Sequence, residues 1–464
     1  MTWFTYVKVF AIAHLLSFCI ATSQKPIGPD TNNQFTKLRQ DNTACPSYGE
    51  AQWTGTVRVS EGHEIFYWYF DSRNDPKNDP VILYMSGGPG ASSMNGAVAG
   101  LGPCSLNSSK DHTTTPNPWA WNRNASLLFI DQPSDTAQDF QQFLNIFFKD
   151  VFPDKYRLPL HIATASYGGH YGPVYLDYIL RSRRYDSNFA FWGNIQSLIL
   201  IDAVIDFTAQ AAGAYATVCK DREEVGLLNA TACESMARHL PEQLRLGRSC
   251  QNVYHGEECR TSYDFGQKYI HGPMNDLVEQ HKVNLGNIKK GCDPRSEWPF
   301  CLPPGYVDVT EYFSQKRIKE AIGVPEPFVF RPVNLEMHLA FRNYGSPWNP
   351  TTKELAAVLD AYTEKPQLAD IKVLVMNGKL DYVVNTAGNI WQYDRLEWAG
   401  LAEYQANTWR PLEDGMGVRG EWKATHDGRL AFVAIEDGGH FVTSEQKEGT
   451  FHIVQKWLEG QWHM

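Results

Sequence analysis

Apolar residues fall along this chain in short blocks, and most of the blocks end in glycine or a polar turn. Over residues 54–70 polar and apolar positions alternate and then run aromatic through Ile65-Phe66-Tyr67-Trp68-Tyr69-Phe70, which predicts a hairpin entering a sheet. A polar turn, residues 74–80, separates it from the short strand Val81-Ile82-Leu83-Tyr84-Met85, which runs into Ser86-Gly87-Gly88-Pro89-Gly90. Residues 126–130 predict a second strand, ending in Asp131-Gln132-Pro133. Phe140, Phe143, Leu144, Phe147, Phe148 and Val151 then recur at helical spacing, a stripe that faces a core and carries no chemistry. Residues 158–163 form the next predicted strand and lead into Thr164-Ala165-Ser166-Tyr167-Gly168-Gly169. Further strands are predicted at 197–201, at 371–376 before Asn377-Gly378, and at 430–435 before Gly438-Gly439-His440. Strands alternating with helices predict an α/β fold with a mostly parallel sheet, whose carboxyl edge carries the chemistry.

Composition narrows the classes. The 464 residues are 43% hydrophobic and 13% aromatic, enough for a large core and unlike a disordered chain. A net charge of -10 with no Lys/Arg-rich run leaves nucleic-acid binding without support. Lys8, the apolar residues 9–20, and the small Ala21 and Ser23 have the form of a signal peptide over residues 1–23. That run is too short to span a bilayer, no later stretch is apolar for long enough, and no membrane span is expected. The protein is therefore expected to be secreted, or routed to a vacuole.

Nine cysteines less Cys19 leave eight, an even number that suits up to four disulfides. Six of them lie between Cys219 and Cys301, in a polar stretch that reads as a stapled insertion. No pair has C-x-x-C spacing, so no metal is expected, and the chain calls for no cofactor. Asn107, Asn124 and Asn229 lie in glycosylation sequons.

Three strand ends carry what a nucleophilic hydrolase needs. Ser166 sits on a strand-to-helix turn among small residues, a partial G-x-S-x-G in which Thr164 replaces the first glycine. A serine hydroxyl is a weak nucleophile and needs a base, which His440 supplies. Asp381, just past the strand ending at Met376, is the carboxylate that would orient the imidazole. Each residue alone reads as an ordinary loop residue; all three in the order Ser, Asp, His match an α/β-hydrolase fold. The Gly-rich loop after Met85 then supplies an oxyanion hole, with backbone N–H groups of Gly88 and Tyr167 as donors. A phosphate-binding reading of that loop fails, because no Lys-Ser/Thr follows it.

Gly87-Gly88-Pro89-Gly90-Ala91-Ser92-Ser93, Gly102-Pro103, Asn117-Pro118-Trp119-Ala120-Trp121-Asn122 and Asp131-Gln132-Pro133 together resemble the serine carboxypeptidases, the carboxypeptidase Y-like peptidase family. The resemblance continues through Ser166-Tyr167-Gly168-Gly169-His170-Tyr171-Gly172-Pro173, residues 378–388 and Gly438-Gly439-His440. It implies an α/β-hydrolase core, residues 24–204 and 331–464, with a largely helical, disulfide-bearing cap at 205–330. It also implies release of C-terminal residues from peptides, with best activity at acid pH. Cys219 with Cys233 and Cys250 with Cys259 resemble the family's disulfide pairs, leaving Cys45 with Cys104 and Cys292 with Cys301.

Departures from the family pattern bear on the substrate. The family holds a terminal carboxylate with a Trp and an Asn before the Gly-rich loop, a Glu before the following Gly-Pro, and a Glu before the nucleophile. Here Tyr84, Ser86, Gly100 and Ala165 stand at those places, so both carboxyls are missing. Ala91 replaces a cysteine, and the stretch after Asp131-Gln132-Pro133 is abbreviated. Three functions follow: a hydrolase releasing C-terminal residues through an acyl-enzyme on Ser166; an acyltransferase, esterase or amidase acting on a small molecule with the same residues; or a silent binding protein. The last has no need of Ser166, Asp381, His440 and the oxyanion loop together.

Overall fold

The computed structural model describes residues 34–107, 112–131, 136–185, 188–220, 227–280, 283–293, 295, 306–364 and 370–463. The signal segment 1–23, the abbreviated stretch after Asp131 and Cys301 lie outside these residues. The strands are β1 (Leu38–Arg39), β2 (Gln52–Ser60), β3 (His63–Phe70), β4 (Val81–Met85), β5 (Cys104–Leu106), β6 (Thr114–Pro116), β7 (Ser126–Asp131), β8 (Leu160–Ala165), β9 (Ile195–Ile201), β10 (Lys372–Gly378), β11 (Arg410–Pro411), β12 (Gly420–Ala424) and β13 (Leu430–Ile435). Eleven form one sheet in the order β1-β2-β3-β7-β4-β8-β9-β10-β13-β12-β11, and β5 pairs with β6 separately. Strands from β7 to β13 in that order run parallel, with antiparallel pairs at both ends. This is the α/β-hydrolase architecture expected.

Continuous apolar runs in the central strands follow from burial on both faces. Val81, Leu83 and Met85 enter one core cluster while Ile82 and Tyr84 enter the other. β13 divides the same way, Leu430, Phe432 and Ala434 against Ala431, Val433 and Ile435. The Phe140 stripe lies on the helix Ala137–Ile146, whose last turns widen into a π-helix at Phe147–Val151. The strand predicted at 158–163 runs instead from Leu160 to Ala165, because Ala165 pairs with Ile201 and Pro159 turns to accept from Val81 N. β12, paired between β13 and β11, is only partly covered and shows no clean alternation, so its pattern does not predict a strand.

Register decides where the chemistry gathers. Met85 pairs with Thr164, Ala165 and Met376 with Ile201, and Gly378 with Ile435, so the ends of β4, β8, β9, β10 and β13 share one edge. Chain order reverses between β4 and β8, the kind of switch point at which open α/β sheets bind ligands.

Between β9 and β10 the helices Phe207–Tyr215, Ala230–Val253, Glu257–Gly266 and Gly272–Glu279 follow one another. They surround a small apolar cluster that includes Ala214, Met236, Ile270 and Met274. Disulfides Cys219–Cys233 and Cys250–Cys259 staple them, and Cys45–Cys104 ties the N-terminal arm to the β5 ribbon. By loop-closure entropy the 59-residue separation of Cys45–Cys104 contributes about 4 kcal/mol, against about 3 kcal/mol for the shorter loops. Cys292 is also disulfide-bonded. Helices Tyr306–Ser314 and Lys316–Ile322 bury Val309, Tyr312, Phe313 and Ile318 in the same cluster as the sheet. No described helix is long and apolar enough to cross a membrane.

Candidate active site

Ser166 occupies the turn between β8 and the helix Gly168–Tyr185 at φ 58°, a left-handed conformation rare outside glycine. Three hydrogen bonds hold it there: Ser166 N donates to Ile201 O at 3.0 Å, while Gly169 N and Val204 N donate to Ser166 O at 3.1 and 3.0 Å. Thr164 fits at the first position of the motif because Gly168 faces it; a Cβ on Gly168 would lie 2.7 Å from the Thr164 Cβ.

The loop after β4 lies against this turn, since a Cβ on Gly87 would fall 2.4 Å from both Ala165 O and Tyr167 N. Neither Gly88 N–H nor Tyr167 N–H has a hydrogen-bond partner among the described residues. An oxyanion hole requires two such free donors.

His440 Nε2 stands 2.8 Å from Ser166 Oγ, and its Nδ1 stands 2.7 Å from Asp381 Oδ2. Asp381 is fully buried, and Val384 N donates to its other oxygen at 3.0 Å. Burial opposes charge on the imidazole, but the Asp381 charge and hydrogen bond, aided by Glu445, outweigh it and hold the His440 pKa above its ordinary value. The structure thus brings Ser166, His440 and Asp381 into one hydrogen-bonded line, with Tyr167 next to Ser166 and Gly88 in the loop whose Gly87 packs on the same turn.

Residues from the insertion hold His440 in place. His440 N donates to Gly286 O at 2.5 Å, and Tyr382 N donates to Leu285 O at 2.9 Å. Glu445 accepts from Gly439 N at 2.5 Å, from Asn287 Nδ2 at 3.0 Å and from Lys290 Nζ at 2.9 Å. Past the insertion, Asn334 N donates to Gly90 O at 2.8 Å, and Ser346 Oγ lies 2.5 Å from Tyr167 Oη. Sequence reasoning missed Glu445 and the Leu285–Asn287 loop, because neither carries a motif.

The four altered positions divide. Tyr84 is 6% exposed, its ring 5.7 Å from that of Phe129 and packed over Gly96. Gly100 is buried facing Thr443 and Ser444. Ser86 and Ala165 remain partly accessible beside Ser166. Tyr84 and Gly100 are therefore buried behind the accessible positions.

Asp131, half-buried at the end of β7, accepts from Ser92 Oγ at 2.9 Å and Ser93 N at 2.6 Å, while Ser86 N donates to Ser93 Oγ at 2.9 Å. These bonds fasten both ends of the Gly-rich loop. Burial pushes the Asp131 carboxyl up to about 6, against the pull of the two serines and Met94 N. The fold then favours the protonated acid: its stabilisation is fully present below the unfolded pKa near 4 and is lost as pH rises through about 6. The effect is at most about 3 kcal/mol, and less to the extent that solvent reaches the side chain. Urea midpoints at pH 4.5 and 7 should therefore differ less in Asp131→Asn than in the parent. An unchanged difference would contradict this.

Asn107, Asn124 and Asn229 are exposed; Asn124 Nδ2 donates to Gln455 Oε1 at 2.6 Å, and Asn229 caps the helix Ala230–Val253. Away from the site His112, Asp308 and Glu311 bring ligand atoms within 4.8 Å of one another, but Arg295 already holds Asp308 at 2.7 Å.

Fold and site together define an α/β-hydrolase-fold enzyme of the serine type. A family model described as serine carboxypeptidase matches residues 46–136 and 134–460. Carboxypeptidase Y homolog A of Aspergillus clavatus is 30% identical over 436 residues, covering 89% of this chain and 75% of that protein. The homolog from Aspergillus niger is 30% identical over 436 residues, with 89% and 73% covered. Kex1(delta)p, a prohormone-processing carboxypeptidase from Saccharomyces cerevisiae, shares the fold with a TM-score of 0.68 at 19% identity, over 88% of this chain and 91% of that one. The chain belongs to the serine carboxypeptidase family and is a carboxypeptidase-like hydrolase.

Proposed function

We propose that this enzyme releases C-terminal residues from peptides through an acyl-enzyme on Ser166. The observation that carries the proposal is the line of hydrogen bonds from Ser166 Oγ through His440 to Asp381, 2.8 and 2.7 Å. His440 takes the Ser166 proton as the hydroxyl attacks the scissile carbonyl, and Asp381 stabilises the imidazolium. The oxyanion rests on the Gly88 and Tyr167 N–H groups. His440 then gives its proton to the leaving amine, and water, activated by the same base, resolves the ester. A fluorophosphonate probe should label the protein at Ser166; labelling that survives in Ser166→Ala would overturn the assignment.

One observation favours a second reading. No carboxyl group stands at Gly100 or Ala165, so the family's acidic grip on a terminal carboxylate is missing. Charge-assisted hydrogen bonds of that kind are worth about 1.5–3 kcal/mol each. Without them a blocked dipeptide with a free carboxylate should be cleaved less than about tenfold faster than its amide or ester. The same site would then serve as an esterase or amidase, or as an acyltransferase when an alcohol or amine resolves the ester. A preference above about a hundredfold would show that other residues supply the grip.

The chain is further proposed to pass through the secretory route, to the exterior or a vacuole. Three disulfides support this, because they form in oxidising compartments, and so do the exposed sequon asparagines.

A further inference from the structure

Asp202 ends β9 one residue past Ile201, and it belongs to no step of the reaction above. It is fully buried and adopts φ 44°, a left-handed conformation that a non-glycine residue keeps only when its surroundings impose it. Asp202 N donates to Met376 O at 2.8 Å, and Asp202 Oδ1 accepts from Gly378 N at 2.7 Å. Gly378 O in turn accepts from Asp381 N at 3.1 Å, so one residue, Gly378, links the two aspartates. Gly378 has no room to move aside: a Cβ there would lie 2.5 Å from Gly438 and Gly439 backbone atoms.

The second oxygen, Asp202 Oδ2, is buried and makes no hydrogen bond of ordinary geometry among the described residues; the backbone N–H of Val442 also faces the carboxyl, and Asp202 makes no ion pair among them. Charged or titratable groups facing it are Asp381 on the turn after β10, Glu445 on the helix Val442–Glu445, and Tyr84 on β4. None is a cation. Two carboxylates in one dry region cannot both ionise without a large penalty. Asp381 must carry the charge, because it accepts from both Val384 N and the His440 ring. Burial first, and then the Asp381 charge, pushes the Asp202 carboxyl well above its ordinary range.

We propose that Asp202 is a positioning residue for Asp381, acting as a neutral carboxylic acid that clamps the Gly378 N–H. Its proton keeps a further negative charge away from a base that already feels Asp381 and Glu445. Another charge there would drive the pKa of the base higher still, leaving less free imidazole at low pH. The inference rests on the Ser166–His440–Asp381 reading and concerns what holds that line in register.

The test is the rate of fluorophosphonate labelling at Ser166 against pH, which needs no knowledge of the substrate. Asp202→Ala should lower the plateau rate at least tenfold, by loosening the turn that carries Asp381. Asp202→Asn, neutral and the same shape, should restore most of that loss and keep the acid limb within about 0.3 pH unit of the parent. If Asp202 were ionised, the Asn variant would move the acid limb down by about one unit, and the proposal would fall. It would fall equally if Asp202→Ala labelled at the parental rate, or if Asp202→Asn were as slow as Asp202→Ala. Should the Ala variant not fold, the acid limb of the Asn variant still decides. Absence of labelling in the parent would instead remove the catalytic reading itself.

Discussion

Asp381→Asn should lower the rate of Ser166 acylation by about 10⁴-fold while leaving the fold intact. Asparagine matches aspartate in shape, and its carbonyl oxygen can still accept from Val384 N, now 3.0 Å from Asp381 Oδ1. Its amide nitrogen would then face His440 Nδ1 across the present 2.7 Å contact. Nδ1 would have to accept instead of donate, which puts the imidazole proton on Nε2, the atom that should take the proton from Ser166 Oγ. Loss of the buried negative charge adds to this, since it removes what holds the His440 pKa up. His440→Ala should cost more, up to about 10⁶-fold, because no base remains. The measurement is labelling rate at neutral pH, with thermal unfolding as the control for folding. A rate within tenfold of the parent in Asp381→Asn would mean that His440 is oriented by something else.

Gly87→Ala carries the second large effect, and it acts through backbone. The added Cβ would meet Ala165 O and Tyr167 N at 2.4 Å and Ser166 Cβ at 2.8 Å. None of these is the flexible end of a side chain, so either the loop after β4 or the turn bearing Ser166 must move by about 1 Å. Misplacing a reacting group by that much, or losing one oxyanion donor, costs about 10²–10³ in rate. Overpacking of a close contact should also lower stability by about 1–3 kcal/mol. Gly272→Ala is the control: its new Cβ meets nothing nearer than Gln267 O at 3.8 Å, within a helix that favours alanine. Equal labelling by the Gly87 and Gly272 variants would contradict the close packing of loop and turn.

Glu445 and Asp202 show where reading the chain alone stopped. Glu445 lies five residues beyond His440, yet two of its partners, Asn287 and Lys290, are more than 150 residues away. Asp202 looks like an ordinary polar residue at a strand end, and its meaning depends on Asp381, 179 positions later. Tyr84, at a position tied to substrate by resemblance, is buried and packed over Gly96. Local periodicity reports which face of an element is buried, but not which distant side chain it meets. Half-covered strands such as β12 escape for a related reason, because partial exposure leaves no regular pattern.

Sequence by itself determined the parallel core and its working edge. Strands buried on both faces must be apolar throughout, and chains that stop in Gly-rich turns at those strands display Ser166, Asp381 and His440 in hydrolase order. The short spacing between each strand and its loop residue makes this a local property, readable without coordinates. Tertiary structure decided the rest. The order β7-β4-β8 laid Gly87 against the turn bearing Ser166, and the insertion brought Gly286 to the His440 peptide. Pairing of β9 with β10 set Asp202 beside Asp381. Each depends on packing between segments far apart in the chain, and close packing across such distances follows from the whole core, not from any one stretch of it.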